Sequence, residues 1–266
     1  MNPYRCTFQM GMEKALEYRV NFVLSLLSAV FPIIIQTFLW NYLYGNSDAA
    51  SMTGYSYSQI MVYTLLAAMV SHLVYTGFEY QVNQDIKNGG LNKYLVRPVN
   101  YRSYQFFSFL GEKAPQLLIL LAVAAVLLVF SVLILGLVLS APRVLAFLAS
   151  LVLALVLNFF IFYCVALISF WLTDVNLLFG TVSVVLVVVS GGIFPMDIFG
   201  ERIAFLIRLL PFGYTTQFPV NIINGRFGVY ETAAGIRENL ANTYNFGMLG
   251  ELLWKRGLRR YTAVGG

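Results

Sequence analysis

The chain has 266 residues; 59% are hydrophobic, only 11% are charged, and the formal net charge is +5. About a quarter of a soluble domain is charged, so a water-borne fold is excluded; at a mean hydropathy of +0.74 most of this chain has lipid as its solvent. The basic residues are spread over several loops and form no compact patch, which argues against nucleic acid as a partner and for a role in setting membrane orientation.

In chain order, residues 1–19 are polar, with Arg5, Glu13, Lys14, Glu17 and Arg19. No short apolar core followed by a cleavage pattern occurs there, so no secretory signal is expected. Phe8, Met12, Ala15, Leu16 and Arg19 fall near helical spacing beside Glu13 and Glu17, the pattern of an interfacial helix over residues 5–19. A membrane span takes roughly 20 mainly apolar residues. Five stretches qualify: 20–44, 59–78, 114–139, 144–172 and 176–194. Pro32 lies inside the first, where it kinks a membrane helix without breaking it. The links Ser140-Ala141-Pro142-Arg143 and Thr173-Asp174-Val175 are so short that the third, fourth and fifth spans must run antiparallel to one another. Tyr42, Tyr44, Tyr55 and Tyr57 cluster as an outer aromatic belt does. Cys6 and Cys164 lie far apart in different settings and are read as free thiols.

Orientation follows from the Lys/Arg bias. One side receives Arg5, Lys14, Arg19, Lys87, Lys93, Arg97, Arg102 and Lys113; the opposite loops before the fifth span hold only Arg143. The N-terminus and the 79–113 loop are therefore cytoplasmic. After the fifth span, Gly191, Gly192, Pro195, Pro211 and Pro219 break the chain into short, half-buried outer helices. The tail LWKRGLRRY (253–261) carries four basic residues and is cytoplasmic, so a sixth crossing is needed near 229–253. That segment holds Glu231, Arg237, Glu238, Asn239, Asn242 and Glu251. A charge at a helix centre costs about 2.5–3.5 kcal/mol, so Arg237 and Glu238 are expected to face protein or water. The expected fold is all-α and polytopic, a single transmembrane domain over 1–266.

The cytoplasmic loop contains DIKNGGLNKYLVRP (85–98). Ile86, Leu91, Tyr94 and Leu95 make a near-helical stripe interrupted at Gly89-Gly90, and Pro98 ends any helix before it. The pattern reads as a short helix, a glycine turn and a second short helix with one greasy face, which must be covered by a partner protein or by the lipid surface.

The segment IKNGGLNKYLVRPVNYRSY (86–104) resembles the cytoplasmic loop of permease subunits of bacterial type-2 ABC exporters. Their hallmark, I-x-x-G-x-L-x-x-x-L-x-[KR]-P, is matched by Ile86, Gly89, Leu91, Leu95, Arg97 and Pro98. SGGIFPMDIF…LPFGYTTQFPVNIINGR (190–226) is similar to that family's outer segment, and WKRGLRRYTAVGG (254–266) to its C-terminal signature. The chain departs from the family at 229–253, which is far more polar than a conventional sixth helix.

The resemblance implies a six-helix exporter domain with an N-terminal elbow helix over 5–19 and short re-entrant outer helices before the last span. It implies a home in the bacterial inner membrane with both termini cytoplasmic. It also implies two kinds of partner: an ATP-binding cassette subunit, which binds ATP and magnesium, and a second permease subunit, identical or related. The coupling residues would be Glu79, Asp85, Lys87 and Arg97 as polar contacts and Leu91, Tyr94 and Leu95 as apolar anchor, with Ile86, Gly89 and Pro98 shaping the loop.

Other chemistries find little support. No Gly-x-x-x-x-Gly-Lys-[Ser/Thr] occurs, so this chain has no phosphate-cradling loop of its own. His72 is the only histidine, which excludes two-histidine zinc motifs; its place beside Ser71 suggests a helix–helix hydrogen bond. The first five spans lack the intramembrane carboxylates of ion-coupled carriers. The reading is a permease subunit of an ATP-driven exporter of an amphipathic compound, not itself an enzyme. The alternative is a membrane channel or scaffold without ATP coupling.

Overall fold

The computed structural model describes residues 3–17, 19–46, 53–135, 140–172 and 174–261, and among these every regular element is helical. The helices are α1 (Pro3–Glu17), α2 (Arg19–Asn46), α3 (Tyr57–Val74), α4 (Phe78–Lys87), α5 (Asn92–Leu95) and α6 (Tyr101–Leu135). They continue as α7 (Ala141–Leu167), α8 (Asn176–Val189), α9 (Glu201–Arg208), α10 (Gln217–Ile223) and α11 (Val229–Leu258). Among the described residues two runs are long and apolar enough to cross a membrane, Tyr57–Lys87 and Ala141–Phe170.

The ends of the apolar stretches differ from expectation for local reasons. The second stretch stops at Val74; Tyr75–Gly77 are non-helical, and α4 starts anew. The freed Val74 carbonyl accepts a hydrogen bond from the buried Asn158 amide on α7, so the break is pinned from outside its own helix. The 79–113 loop is mostly ordered helix, because Tyr101 onward already belongs to α6. The fifth stretch ends at Val189, not at Phe194: Gly191 sits at φ +81, a backbone that L side chains avoid. A Cβ there would lie 2.6 Å from the Tyr63 hydroxyl. The 229–253 segment forms one continuous helix of 30 residues, about 45 Å long at 1.5 Å per residue. Thr173, and residues 47–52, 136–139 and 262–266 of the expected loops, third span and C-terminal signature, lie outside the described residues.

The core sits around α7. Phe159 stacks on Phe78 (ring centroids 4.8 Å) and touches Phe109 and Tyr163, joining α4, α6 and α7. α11 packs parallel to α7 despite its polar sequence, with Gly247 against Phe160 and Gly257 against Phe170. Its buried stripe is Gly235, Asn239, Gly250 and Gly257. A Cβ on Gly257 would lie 2.2 Å from the Phe170 ring, and one on Gly250 3.1 Å from Tyr163. Small residues let the two backbones approach, which is how helices pack where no hydrophobic drive separates them from lipid. α1 crosses α6 in the same way, with Gly11 against Gly111 and an ion pair from Lys14 to Glu112 at 2.5 Å.

α7 thereby defines two ends. Near its start lie Gly225, beside Arg143, and Asn224, whose amide donates to the Gln59 carbonyl at 2.9 Å. Near its finish lie Phe170, Trp254 and Tyr261. Residues 53–60 and 190–231 share the first end; residues 78–104 and the close of α11 share the second.

Candidate functional site

The second end is built around Asp85. Gly89 takes φ +74 and Gly90 leaves no room for a side chain, since a Cβ there would stand 2.5 Å from an Asp85 carboxylate oxygen. The turn this permits is closed by the Leu91 N–H donating to the Asp85 carbonyl at 3.0 Å. The Asp85 carboxylate accepts from the Tyr101 hydroxyl at 2.8 Å and meets Lys93 at 3.5 Å. The Gln105 amide donates to the same Tyr101 oxygen at 2.9 Å. Burial, and then the Asp85 charge, hold the Tyr101 phenol well above its ordinary pKa, so it remains a donor.

Aromatic rings fasten this turn to the rest of the molecule. Tyr94 packs on Tyr101 and Tyr104 at 4.9 and 4.8 Å, and Tyr101 stacks on Trp254 of α11 at 5.1 Å. The Tyr261 hydroxyl donates to Asn92 at 3.0 Å, and Arg102 pairs with Glu251 at 3.2 Å. The close of α11 is thus clamped to α5 and to the start of α6.

The ten residues expected to serve coupling fall into two sets. Glu79, Asp85, Ile86 and Leu91 are buried, with Leu91 at 0% exposure inside the chain's own core. They shape the turn from within and present nothing to another chain in this conformation. Gly89 makes the bend, and Lys87 and Tyr94 are half-buried. Leu95, Arg97 and Pro98 are exposed. Between them stands Val96 at 82% exposure, beside Leu95 at 48%. Val96 was missed by the sequence reading because it sits off the helical stripe; its signal is an apolar residue directly before the Arg-Pro pair. The outward surface is therefore one compact knuckle, Leu95-Val96-Arg97-Pro98.

The first end is organised around Asp197, which no pattern in the sequence singles out. Its carboxylate accepts from the Tyr55 hydroxyl at 3.1 Å and the Gln217 amide at 3.3 Å, and pairs with Arg208. Arg226 stands 4.0 Å away, its guanidinium 3.9 Å from the Tyr55 ring centroid, and it donates to the Gly54 carbonyl. Burial, then the Asp197 charge, push the Tyr55 phenol above its ordinary pKa. Gly191 and Gly192 form the turn beneath: the Gly191 carbonyl accepts from Tyr63 at 2.6 Å, and Gln217 bonds the backbone of Ser190 and Met196. Pro211 opens a 3-10 turn and Pro219 lies buried in α10. Between this network and α11 is a cleft of about 450 Å³, reached by Glu231 and Glu238. Glu238 accepts from Tyr214 beside the cleft; both Glu238 and Arg237 are exposed.

The arrangement joins an exposed knuckle at one end to a tied cap at the other through packed helices. No curated protein matches the chain. Residues 30–265 match the family described as ABC-2 family transporter protein. That span takes in the helix break, the knuckle, the cap and all of α11, and the chain belongs to the ABC-2 family of membrane transport permeases.

Proposed function

We propose that this chain is the permease subunit of an ATP-driven exporter in the bacterial inner membrane. Six helices cross the bilayer in this reading: α2, α3, α6, α7, α8 and α11. α1 is the elbow along the inner face, and α9 and α10 belong to the re-entrant outer segment. Both termini are cytoplasmic, in line with Lys255, Arg256, Arg259 and Arg260 at the close of α11. A second permease subunit completes the pathway. ATP and magnesium are held by a separate cassette subunit, since this sequence has no phosphate-cradling loop.

The observation that carries this reading is the Leu95-Val96-Arg97-Pro98 knuckle, exposed on an otherwise internally bonded end. An apolar tip flanked by a cation fits a groove on a partner. Buried contacts behind it, from Asp85 to Trp254, pass any push on the knuckle into α6 and α11. ATP binding would close the cassette pair, move the knuckle and tilt the spans as rigid bodies, releasing an amphipathic cargo outward.

The test is co-purification with the ATP-binding subunit. Val96→Asp and Arg97→Glu are expected to abolish association while the permease still inserts. Normal binding by both variants would place the docking surface elsewhere. Leu91→Asp is unsuited to this test, since Leu91 belongs to the core.

A further inference from the structure

Glu79 stands in the first turn of α4 with no exposure at all. Neither carboxylate oxygen meets a donor in hydrogen-bond geometry; the Thr76 hydroxyl and the residue's own backbone N–H stand nearest. The Thr76 hydroxyl and the Asn83 carbonyl oxygen on either side are buried and unpartnered as well. Burial disfavours the charged form of Glu79, and Thr76, its own backbone N–H and the more distant Lys113 offset this only in part; a buried carboxyl with no ion-pair partner is costly, so its persistence calls for a use.

Its counter-charge is close by. Lys113 on α6 is also buried, donates to Gln116 Oε1 at 3.0 Å and has its ammonium 5.9 Å from the Phe109 ring centroid. Phe109 packs on Phe78, the residue before Glu79, at 5.7 Å. Glu79 and Lys113 feel each other's charge, yet no ion pair closes between them within 4.0 Å. The other charge acting on Lys113 is Glu112, which is paired with Lys14; Lys113 in turn acts on His72 of α3, which has contacts of its own. α4 is separated from α3 by the non-helical Tyr75–Gly77, so the two helices do not form one rigid rod.

We infer that Glu79 and Lys113 are a latch, apart in the present conformation and ion-paired when the stroke of the ATP-binding subunit swings α4 toward α6. The inference rests on the proposed function. On closing, the Lys113 ammonium leaves Gln116 and donates to the Glu79 carboxylate, which gives the driven state a contact that the resting state lacks. Glu79 is then a positioning residue for transport and not a docking contact.

Two arms test this on the complete chain. In the permease alone, Glu79→Gln raises the thermal unfolding midpoint, because it removes a buried carboxyl that has no ion-pair partner. A lowered or unchanged midpoint means that Glu79 is already satisfied at rest, and overturns the latch. In the complex with the ATP-binding subunit, Glu79→Gln and Lys113→Gln each cut ATPase turnover by about tenfold while co-purification is unchanged. The double Gln variant is then no worse than either single, as coupled partners require. The exchanged pair Glu79→Lys/Lys113→Glu recovers turnover where it folds. Full turnover in both single variants, or a double variant whose losses multiply, overturns the latch. If no ATP-binding subunit co-purifies with the unaltered chain, it is the proposed function that fails, and the first arm is still read on its own.

Discussion

The two ends of the bundle handle charge in opposite ways. At the cap, Asp197 gathers Tyr55, Gln217, Arg208 and Arg226 from segments up to 171 positions apart, counting Tyr55 to Arg226, and the charged groups are spent on one another. At the knuckle, Asp85 and Tyr101 close a similar internal network, but Leu95, Val96, Arg97 and Pro98 are left projecting from it. Both ends use buried polar bonds to hold irregular backbone. Both also leave apolar side chains projecting, Leu95 and Val96 at the knuckle and Phe205, Leu209, Val229 and Tyr230 at the cap; those of the knuckle stand directly beside the exposed Arg97.

This contrast can be broken at four places. The largest loss is expected from Leu91→Asp, which puts an uncompensated charge at a site of 0% exposure; about 3–5 kcal/mol of stability goes, read as loss of the cooperative unfolding transition in detergent. Gly191→Ala at the cap adds a Cβ at φ +81 and 2.6 Å from the Tyr63 hydroxyl. It costs about 2 kcal/mol by the same measurement, and Tyr63→Phe in the same chain recovers part of it. Asp197→Asn removes the charge shared by two arginines; with Arg208 largely exposed the cost is about 1–2 kcal/mol, and it shrinks in high salt. Val96→Asp is smallest, within about 0.5 kcal/mol of the unaltered chain, yet it is the variant that loses the ATP-binding subunit in co-purification. If Asp197→Asn lost that subunit too, the division of roles between the two ends would be wrong.

Much of the fold is legible in the sequence, because long apolar runs have few other solutions. α7 and the short link before it follow from Ser140 to Arg143 and the apolar run after them. A helix over 229–253 is expected from the basic tail, and the structure explains how so polar a helix is held: Gly250 and Gly257 lie against Tyr163 and Phe170, and Gly235 against Phe218 of α10. The break at Tyr75–Gly77 was not legible, since its cause, the Asn158 side chain, is 84 positions away from Val74. The same holds for Leu91. A helical stripe marks it as one of a greasy set, but only the packing shows that it points inward while Leu95 and Val96 point out. Asp197 was passed over because no periodicity announces a hub assembled from distant loops.

The glycine stripe of α11 has a mechanical consequence. Where Gly247, Gly250 and Gly257 lie flat against the rings of Phe160, Tyr163 and Phe170, α11 has no side-chain teeth of its own to resist a lengthwise shift. Its position is set by its fastenings: Glu238 on Tyr214 toward one extremity, Trp254 on Tyr101 and Tyr261 on Asn92 at the other. α11 is in that sense a pushrod, through which a displacement of the turn holding Asn92 is passed along the helix toward Tyr214.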